Sequence, residues 1–403
     1  MKYEVAVVGA GPAGSTAAKF LSENGVKVLL LDKSKFPRDK PCGGGLPYRI
    51  LNRFEYVKNK DLIESYSYGG ISHSPSLKYK ATYKKDYPVV AMVVREKFDA
   101  GLVQLAVDNG AEFIDGRAVK DVKISKEKAK IILDDKTEVD SEIVVGADGV
   151  WSVVAKKTGL SPPKKNLGIC ILNEYDVGED IINKYFGEGK MCHVHLQLKG
   201  IPGYGWVFPK KQHINIGVGK ISPDVNVSNT KMDLLNMYRE YIKILKKTKI
   251  IPKNLEIGRC KGAALHIGPL KKTYADRVLL CGDAGGFLNP ITGEGVYYAM
   301  SSGEIAAEVI TKALEAGDTS EIFLSNYQKN WKKDFGRDLE ALLSSTKSMS
   351  GDTEKVVKLA SKNEKLTDVA LGILHGGLSI QDYRLELIVR YLYASFKDRF
   401  EIT

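Results

Sequence analysis

The stretch Cys281-Gly282-Asp283-Ala284-Gly285-Gly286-Phe287-Leu288-Asn289-Pro290-Ile291-Thr292-Gly293-Glu294-Gly295 decides the fold through a partner almost the whole chain away. By itself it is a glycine-rich turn. The partner is Val5-Ala6-Val7-Val8-Gly9-Ala10-Gly11-Pro12-Ala13-Gly14, a valine-rich strand running into a phosphate-binding turn. One dinucleotide site assembled from both ends of the chain is the reading that organises the rest.

Lys2 to Val8 reads as a strand buried on both faces. Gly9 permits the tight turn, Gly11 lets the backbone approach a pyrophosphate, and Gly14 allows helix to pack on strand. The helix from about Ala13 to Glu23 would turn its N–H groups and positive dipole toward the anion. Asn24-Gly25 ends it, and a second strand, Val26 to Leu31, closes on Asp32, where a carboxylate meets a ribose hydroxyl. NAD and FAD both use this unit.

Two further strands end in Asp-bearing turns: Glu142-Ile143-Val144-Val145-Gly146-Ala147-Asp148-Gly149 and Arg277-Val278-Leu279-Leu280-Cys281-Gly282-Asp283. Ligands collect at the strand ends of a parallel sheet, so Asp148 and Asp283 are cofactor candidates, with ordinary turn residues as the alternative. After Pro290-Ile291-Thr292-Gly293-Glu294-Gly295 an apolar helix runs from Val296 to about Leu314. Its first N–H groups suit the negative pyrimidine edge of a reduced flavin.

The order GxGxxG, Val93-Val94-Arg95-Glu96-Lys97-Phe98-Asp99, GADG and GD resembles the para-hydroxybenzoate-hydroxylase-type flavoprotein superfamily, over Met1 to about Leu314. The resemblance implies FAD, with Asp32 on the adenosine ribose, Arg95 on the cofactor and Asp283 on the ribityl chain. The cofactor set it implies is Gly9, Gly11, Ala13, Gly14, Asp32, Lys33, Cys42, Gly43, Gly44, Arg95, Val119, Ala147, Asp148, Gly149, Gly282, Asp283, Pro290, Gly293, Gly295 and Val296. One departure is visible. Relatives often place a serine and then an arginine after GADG, whereas Ser152 here is followed by Val153, Val154, Ala155 and Lys156.

Pro41-Cys42-Gly43-Gly44-Gly45-Leu46 lies in a loop expected to reach back over the flavin. Tyr204-Gly205-Trp206-Val207-Phe208-Pro209 is followed, after seven further residues, by Gly217-Val218-Gly219. Together these resemble the geranylgeranyl reductase family, in particular archaeal enzymes that saturate isoprenoid chains of membrane lipids. Flavin-dependent halogenases carry a related tryptophan-rich motif, but no motif here locates their lysine. Tyr204, Trp206 and Phe208 alternate, so a strand points all three to one face, an aromatic wall suited to a polyprenyl chain. Sheet-to-core packing is the competing reading.

Reducing an isolated alkene needs hydride from flavin N5 and a proton on the other carbon. Cation-like character there would be stabilised by aromatic faces. Cys42, Tyr204 and Trp206 are the catalytic candidates and Tyr204, Trp206 and Phe208 the substrate-binding ones. Cys42 is the proposed proton source, an ordinary thiol being protonated near neutrality; a small buried residue in a tight turn is its other reading. The function expected is an FAD-dependent reductase of an archaeal-type geranylgeranylated ether phospholipid. A monooxygenase or halogenase-like enzyme on the same scaffold, and a non-catalytic flavin- and lipid-binding protein, are the alternatives.

The 403 residues suffice for more than one domain, and no apolar run approaches a membrane span or a signal peptide. Cys42, Cys170, Cys192, Cys260 and Cys281 form no CxxC pair, so a reduced, cytoplasmic protein without a metal site is expected. His193 and His195 share a strand face without a third ligand nearby. The net charge of +11 comes largely from scattered lysine doublets, without the aromatic-basic interleaving of nucleic-acid binding. A positive surface suits anionic lipid headgroups at the cytoplasmic membrane face, or an acidic ferredoxin. With no second dinucleotide motif, the electron donor is either transiently bound NAD(P)H or a ferredoxin-like protein.

The fold class expected is α/β: a Rossmann-type FAD-binding domain from residues 1–68, 92–160 and 262–314, with an inserted antiparallel β-sheet substrate domain from 69–91 and 161–261. Within the insertion Asn229 to Thr248 reads as a helix. Residues 315–403 form a C-terminal helical region. There Leu385, Ile388, Leu392 and Phe396 recur at helix spacing, with Arg384, Arg390, Lys397 and Arg399 among them. Core packing is the default expectation for that stripe, and membrane contact or a lipid tunnel the sharper one.

Overall fold

The structure, a computed structural model, describes residues 2–59, 61–161, 167–197, 203–220, 227–348, 352–374 and 377–400. The chain forms two units: Met1–Lys40, Arg95–Lys164 and Leu265–Glu340 make the first; Pro41–Val94, Lys165–Ala264 and Ala341–Thr403 make the second.

The first unit is doubly wound. Its parallel sheet runs Glu112–Ile114, Val28–Leu31, Lys2–Val8, Glu138–Gly146, Val278–Leu280, with Val5 paired to Val28 on one side and Ile143 on the other. Val5 and Val7 enter one core and Ala6 and Val8 the other, the two-residue period of a strand covered on both faces. The helices Pro12–Glu23 and Val296–Ala316 cover one face. Antiparallel strands Val119–Ile124 and Ala129–Leu133, with the short helix Val153–Lys157, cover the other.

The second unit is built on a seven-stranded sheet. Its order is Lys261–His266, Leu167–Asp176, His213–Lys220, Tyr204–Pro209, Cys192–Leu196, Gly69–His73, Lys80–Lys84. The successive hairpin neighbours pair antiparallel, as the insertion pattern implies. Cys192–Leu196 and Gly69–His73 come from different insertions and pair parallel. Helix Val227–Lys247 packs beneath, burying Leu234, Met237, Tyr238, Tyr241, Ile242 and Leu245 against Ile171, Ile214, Ile216 and Val218.

The end of the chain is helical, closing with Thr353–Ser361, Glu364–Leu374 and Ile380–Arg399. The expectation that Leu385, Ile388, Leu392 and Phe396 pack into a core is overturned. They are 73, 45, 60 and 55% exposed, and the helix seats its opposite face, Leu387, Tyr391 and Ala394, on Leu359 and Leu366. Periodicity identified the face but not which side is covered. All five cysteines are free thiols. Among the described residues no helix is long and apolar enough to cross a membrane, and no His/Cys/Asp/Glu group is arranged to hold a metal.

Candidate functional site

In the first unit the glycine turn is compact enough to explain its sequence. A Cβ on Gly14 would lie 1.8 Å from the Gly9 carbonyl oxygen, so the residue that brings helix onto strand has to be glycine. The helix begins with Pro12 behind Gly11, with no side-chain cap and no acid in its first turn, leaving its N–H groups open to an anion. A Cβ on Gly11 would meet only the Arg38 guanidinium, at 3.4 Å. Asp32, buried at the end of its strand, accepts from Ala10 N (2.9 Å) and Ser34 N (2.8 Å), and its remaining lone pairs can take a ribose hydroxyl.

Arg95 and Arg38 share one buried carboxylate. Arg95 donates to Asp99 through Nε (2.7 Å) and Nη2 (2.8 Å), and Arg38 Nη2 lies 3.1 Å from the same group. Asp99 thus holds two cations beside the turn, a role that sequence spacing did not single out. Asp148 serves the backbone next to it: its carboxylate accepts from Ser152 Oγ (2.5 Å), Val153 N (2.6 Å) and Val154 N (3.3 Å) at the start of helix Val153–Lys157. Ala147 and Gly149 flank it, Lys33 is exposed, and Val119 is buried at the head of its strand.

Gly282 and Asp283 open a short 3₁₀ turn after Val278–Leu280, and Ser302 Oγ accepts from Gly282 N at 2.9 Å. Pro290, Gly293 and Gly295 lie in a loop closed by Asn289, whose Oδ1 accepts from Ile291 N and Thr292 N. The loop delivers Val296 as the first residue of a 21-residue helix without an acid in its first turn. An uncapped helix start at Pro12, an acid at the second strand end and a cation over Gly11 fit a dinucleotide cofactor, while at the second helix start the Glu294 carboxylate accepts from Tyr297 N at 2.7 Å.

The second unit assembles the other candidates. Tyr204 and Trp206 rings lie 5.7 Å apart and Trp206 and Phe208 6.3 Å, one continuous aromatic ladder. The glycines that follow have a physical reason: register pairs Trp206 with Gly217 and Tyr204 with Gly219. A Cβ on Gly217 would sit 2.0 Å from indole Cζ2, so the Trp206 ring lies over the neighbouring strand only because that residue is glycine. Cys42, Gly43 and Gly44 come to this ladder. A Cβ on Gly43 would stand 3.0 Å from the Phe208 ring and 3.4 Å from Trp206 Nε1.

A buried polar chain fixes the arrangement. Asn215 accepts from Trp206 Nε1 (2.8 Å) and donates to the Cys42 carbonyl (3.0 Å) and to Glu174 (2.9 Å). Glu174 also pairs with Lys210, 2.7 Å away and 1% exposed; a Cβ on Gly44 would be 2.7 Å from Lys210 Nζ. Gly44 N–H donates to Cys42 Sγ at 3.4 Å. Burial, with the Cys170 and Cys42 thiols nearby, pushes the Tyr204 phenol up, so it stays protonated. Sequence reasoning missed Asn215, Glu174 and Lys210; Lys210 and Asn215 stand inside the aromatic-glycine motif, which was the available signal.

His193 and His195 gain a third histidine. His73, from the parallel neighbour strand, stacks on His195 at 4.0 Å and bonds to His193 Nδ1 at 3.0 Å, while Tyr241 OH bonds to His195 Nδ1 at 2.9 Å. Rings stacked face to face do not converge their nitrogens on one point, consistent with the absence of a metal arrangement among the described residues.

An FAD-binding-domain family model matches residues 2–335. The chain is 33% identical over 345 residues to a protein from Methanocaldococcus jannaschii named digeranylgeranylglycerophospholipid reductase, covering 82% of each chain. The chain belongs to the geranylgeranyl reductase family of FAD-binding-domain proteins. A second member, from Methanopyrus kandleri and named digeranylgeranylglycerophospholipid reductase 2, is 30% identical over 96% of this chain and 100% of its own. A crystal structure described as geranylgeranyl bacteriochlorophyll reductase-like, from Thermoplasma acidophilum, superposes with a TM-score of 0.81 over 95% of this chain and 98% of its own; at 23% identity it speaks for the fold. FAD is the cofactor of this family's domain, as the resemblance implied.

Proposed function

We propose that this chain saturates C=C bonds in the geranylgeranyl chains of an archaeal-type glycerophospholipid. The observation that carries the reading is the Tyr204-Trp206-Phe208 ladder packed beside a cysteine-glycine loop and locked to it by Asn215. Reduced FAD, when bound, supplies hydride at N5. The residues of the nucleotide turn bind it: Gly11 admits the pyrophosphate to the helix start at Pro12, Gly14 lets that helix lie on its strand, and Asp32 takes the ribose.

The second unit's residues receive the lipid. Stacked aromatic faces give an isoprenoid chain apolar contact without asking for hydrogen bonds, and they stabilise positive charge on the carbon that protonates first. Cys42 Sγ holds the proton that this carbon takes; the Gly44 N–H aimed at the sulfur stabilises the thiolate left behind. Hydride and proton together add two hydrogens per alkene. Electrons arrive from NAD(P)H or a ferredoxin-like protein, and the enzyme works on the cytoplasmic side, peripheral to the membrane that holds its substrate.

The test is anaerobic incubation of dithionite-reduced, FAD-loaded protein with geranylgeranylated phospholipid, followed by mass spectrometry. The expected product gains two hydrogens per reduced bond and no oxygen. A product that appears only with oxygen and carries it would identify a monooxygenase, and flavin that never reoxidises with any prenyl lipid would identify a binding protein. Cys42→Ala and Cys42→Ser should each keep FAD and slow saturation at least tenfold; full activity in both removes Cys42 from the mechanism.

A further inference from the structure

The terminal helix Ile380–Arg399 is apolar on two opposite sides, and only one side has a partner. On the uncovered side Leu385, Ile388, Val389, Leu392, Phe396 and Phe400 are each 45–73% exposed. With Tyr393 they are seven of the thirteen large apolar residues exposed among the described residues, six on this helix and Phe400 at its C-cap. At 100° per residue all seven fall on one stripe, which runs ~22 Å from Leu385 to Phe400 at 1.5 Å per residue. A continuous apolar stripe along one exposed helix face, rimmed by basic residues, is the pattern of a helix that lies in a lipid interface.

Charge and area select the occupant. Arg384 flanks one side of the stripe, Lys397 the other, and Arg399 stands at its end; none of the three pairs with a carboxylate among the described residues. Lys397 and Arg399 instead lean over the Tyr393 and Phe400 rings at 5.8 and 5.9 Å, which keeps their charges at the rim. The acids of the helix are largely occupied: Asp398 binds Lys358 (2.7 Å) and Lys362 (2.8 Å), Glu386 binds Arg390, and Asp382 lies in the first turn, where the helix dipole favours it. The net rim is cationic. A stripe one helix wide, about 10 Å, has a footprint of roughly 200 Å², far below the ~800 Å² per partner of a stable protein interface. Partial insertion of such a stripe between headgroups needs no larger area.

We propose that this face of the terminal helix is the membrane-docking surface, lying in the plane of an anionic bilayer with Leu385, Leu392 and Phe396 below the phosphates and Arg384, Lys397 and Arg399 against them. The inference rests on the proposed lipid substrate only for its biological purpose; the surface is testable without turnover.

The experiment uses full-length, FAD-loaded protein and flotation with phosphatidylglycerol or phosphatidylcholine vesicles, neither containing geranylgeranyl chains. The wild type should float with phosphatidylglycerol vesicles and bind phosphatidylcholine several-fold more weakly. Leu385→Ser/Leu392→Ser/Phe396→Ser, all at exposed positions, should bind at least tenfold less while keeping its flavin and its melting temperature. Arg384→Gln/Lys397→Gln/Arg399→Gln should lose the preference for anionic vesicles and keep weak binding. The serine variant should reduce detergent-dispersed substrate at the wild-type rate. No flotation of the wild type, undiminished flotation of the folded serine variant, or a concentration-dependent dimer that this variant abolishes would each overturn the proposal. Loss of turnover by every form, with flotation intact, would overturn the proposed reaction and leave the docking surface standing.

Discussion

The side-chain amide of Asn215 donates a hydrogen bond to the backbone carbonyl of Cys42 at 3.0 Å. The indole of Trp206 can only donate, and it takes the amide oxygen at 2.8 Å, so the amide nitrogen must face Cys42 and Glu174. One fully buried side chain therefore sets both the loop that carries the thiol and the ring at the centre of the aromatic ladder.

Asn215→Ala leaves the Trp206 N–H and the Cys42 carbonyl without their protein partner. The expected loss is about 2 kcal/mol of stability, the range for orphaned buried groups. Lipid saturation should fall at least tenfold with FAD still bound. Urea unfolding and flavin absorbance, measured on the same preparation, check the two halves separately.

Gly217→Ala forces the Trp206 ring off the strand it lies over, a Cβ there being 2.0 Å from the indole. Overpacking of this kind costs about 1–3 kcal/mol, and Trp206 emission should shift as the ring moves. Adding Trp206→Phe should recover much of the lost stability, since the smaller ring vacates the clash. A double variant no more stable than Gly217→Ala would show that the close approach is not what requires glycine.

Lys210 and Glu174 should behave as a pair. Lys210 is 1% and Glu174 29% exposed at the side chain, so removing one partner strands a charge that water reaches on the glutamate side only. Lys210→Met should destabilise by about 3 kcal/mol, the lower end for a broken buried pair. Lys210→Met/Glu174→Gln should be less destabilised than the sum of the single changes. A thermodynamic double-mutant cycle measures that coupling, and additive values would refute it.

The histidine stack predicts a pH dependence of stability. Burial holds His73 down to about 3, His193 to about 4 and His195 to about 2, and the charges of Lys80 and of neighbouring rings add to the effect. In the unfolded chain each ring titrates near 6.5. Between these values the unfolded chain binds more protons than the folded one, so stability falls as pH drops below about 6.5 and levels only near 2, once the last of the three rings protonates. The slope is at most about 1.4 kcal/mol per pH unit for each ring. Thermal midpoints should be flat above pH 7 and decline below 6, and His73→Phe should shrink the decline by roughly a third.

By itself the sequence determined the α/β class, the dinucleotide turn and its helix, and the aromatic strand with its glycine partner. Each is written locally: glycine spacing where backbones approach, valine runs where a strand is covered on both faces, and alternation where three rings share a side. Only the tertiary structure decided that Asn215 reaches Cys42 across 173 residues and Glu174 across 41, and that His73 completes the stack begun by His193 and His195. It also decided that Leu385, Ile388, Leu392 and Phe396 face outward. Side-chain partners are chosen by strand register and by which helix face finds a neighbour, and neither is encoded in the period of the residues that carry them.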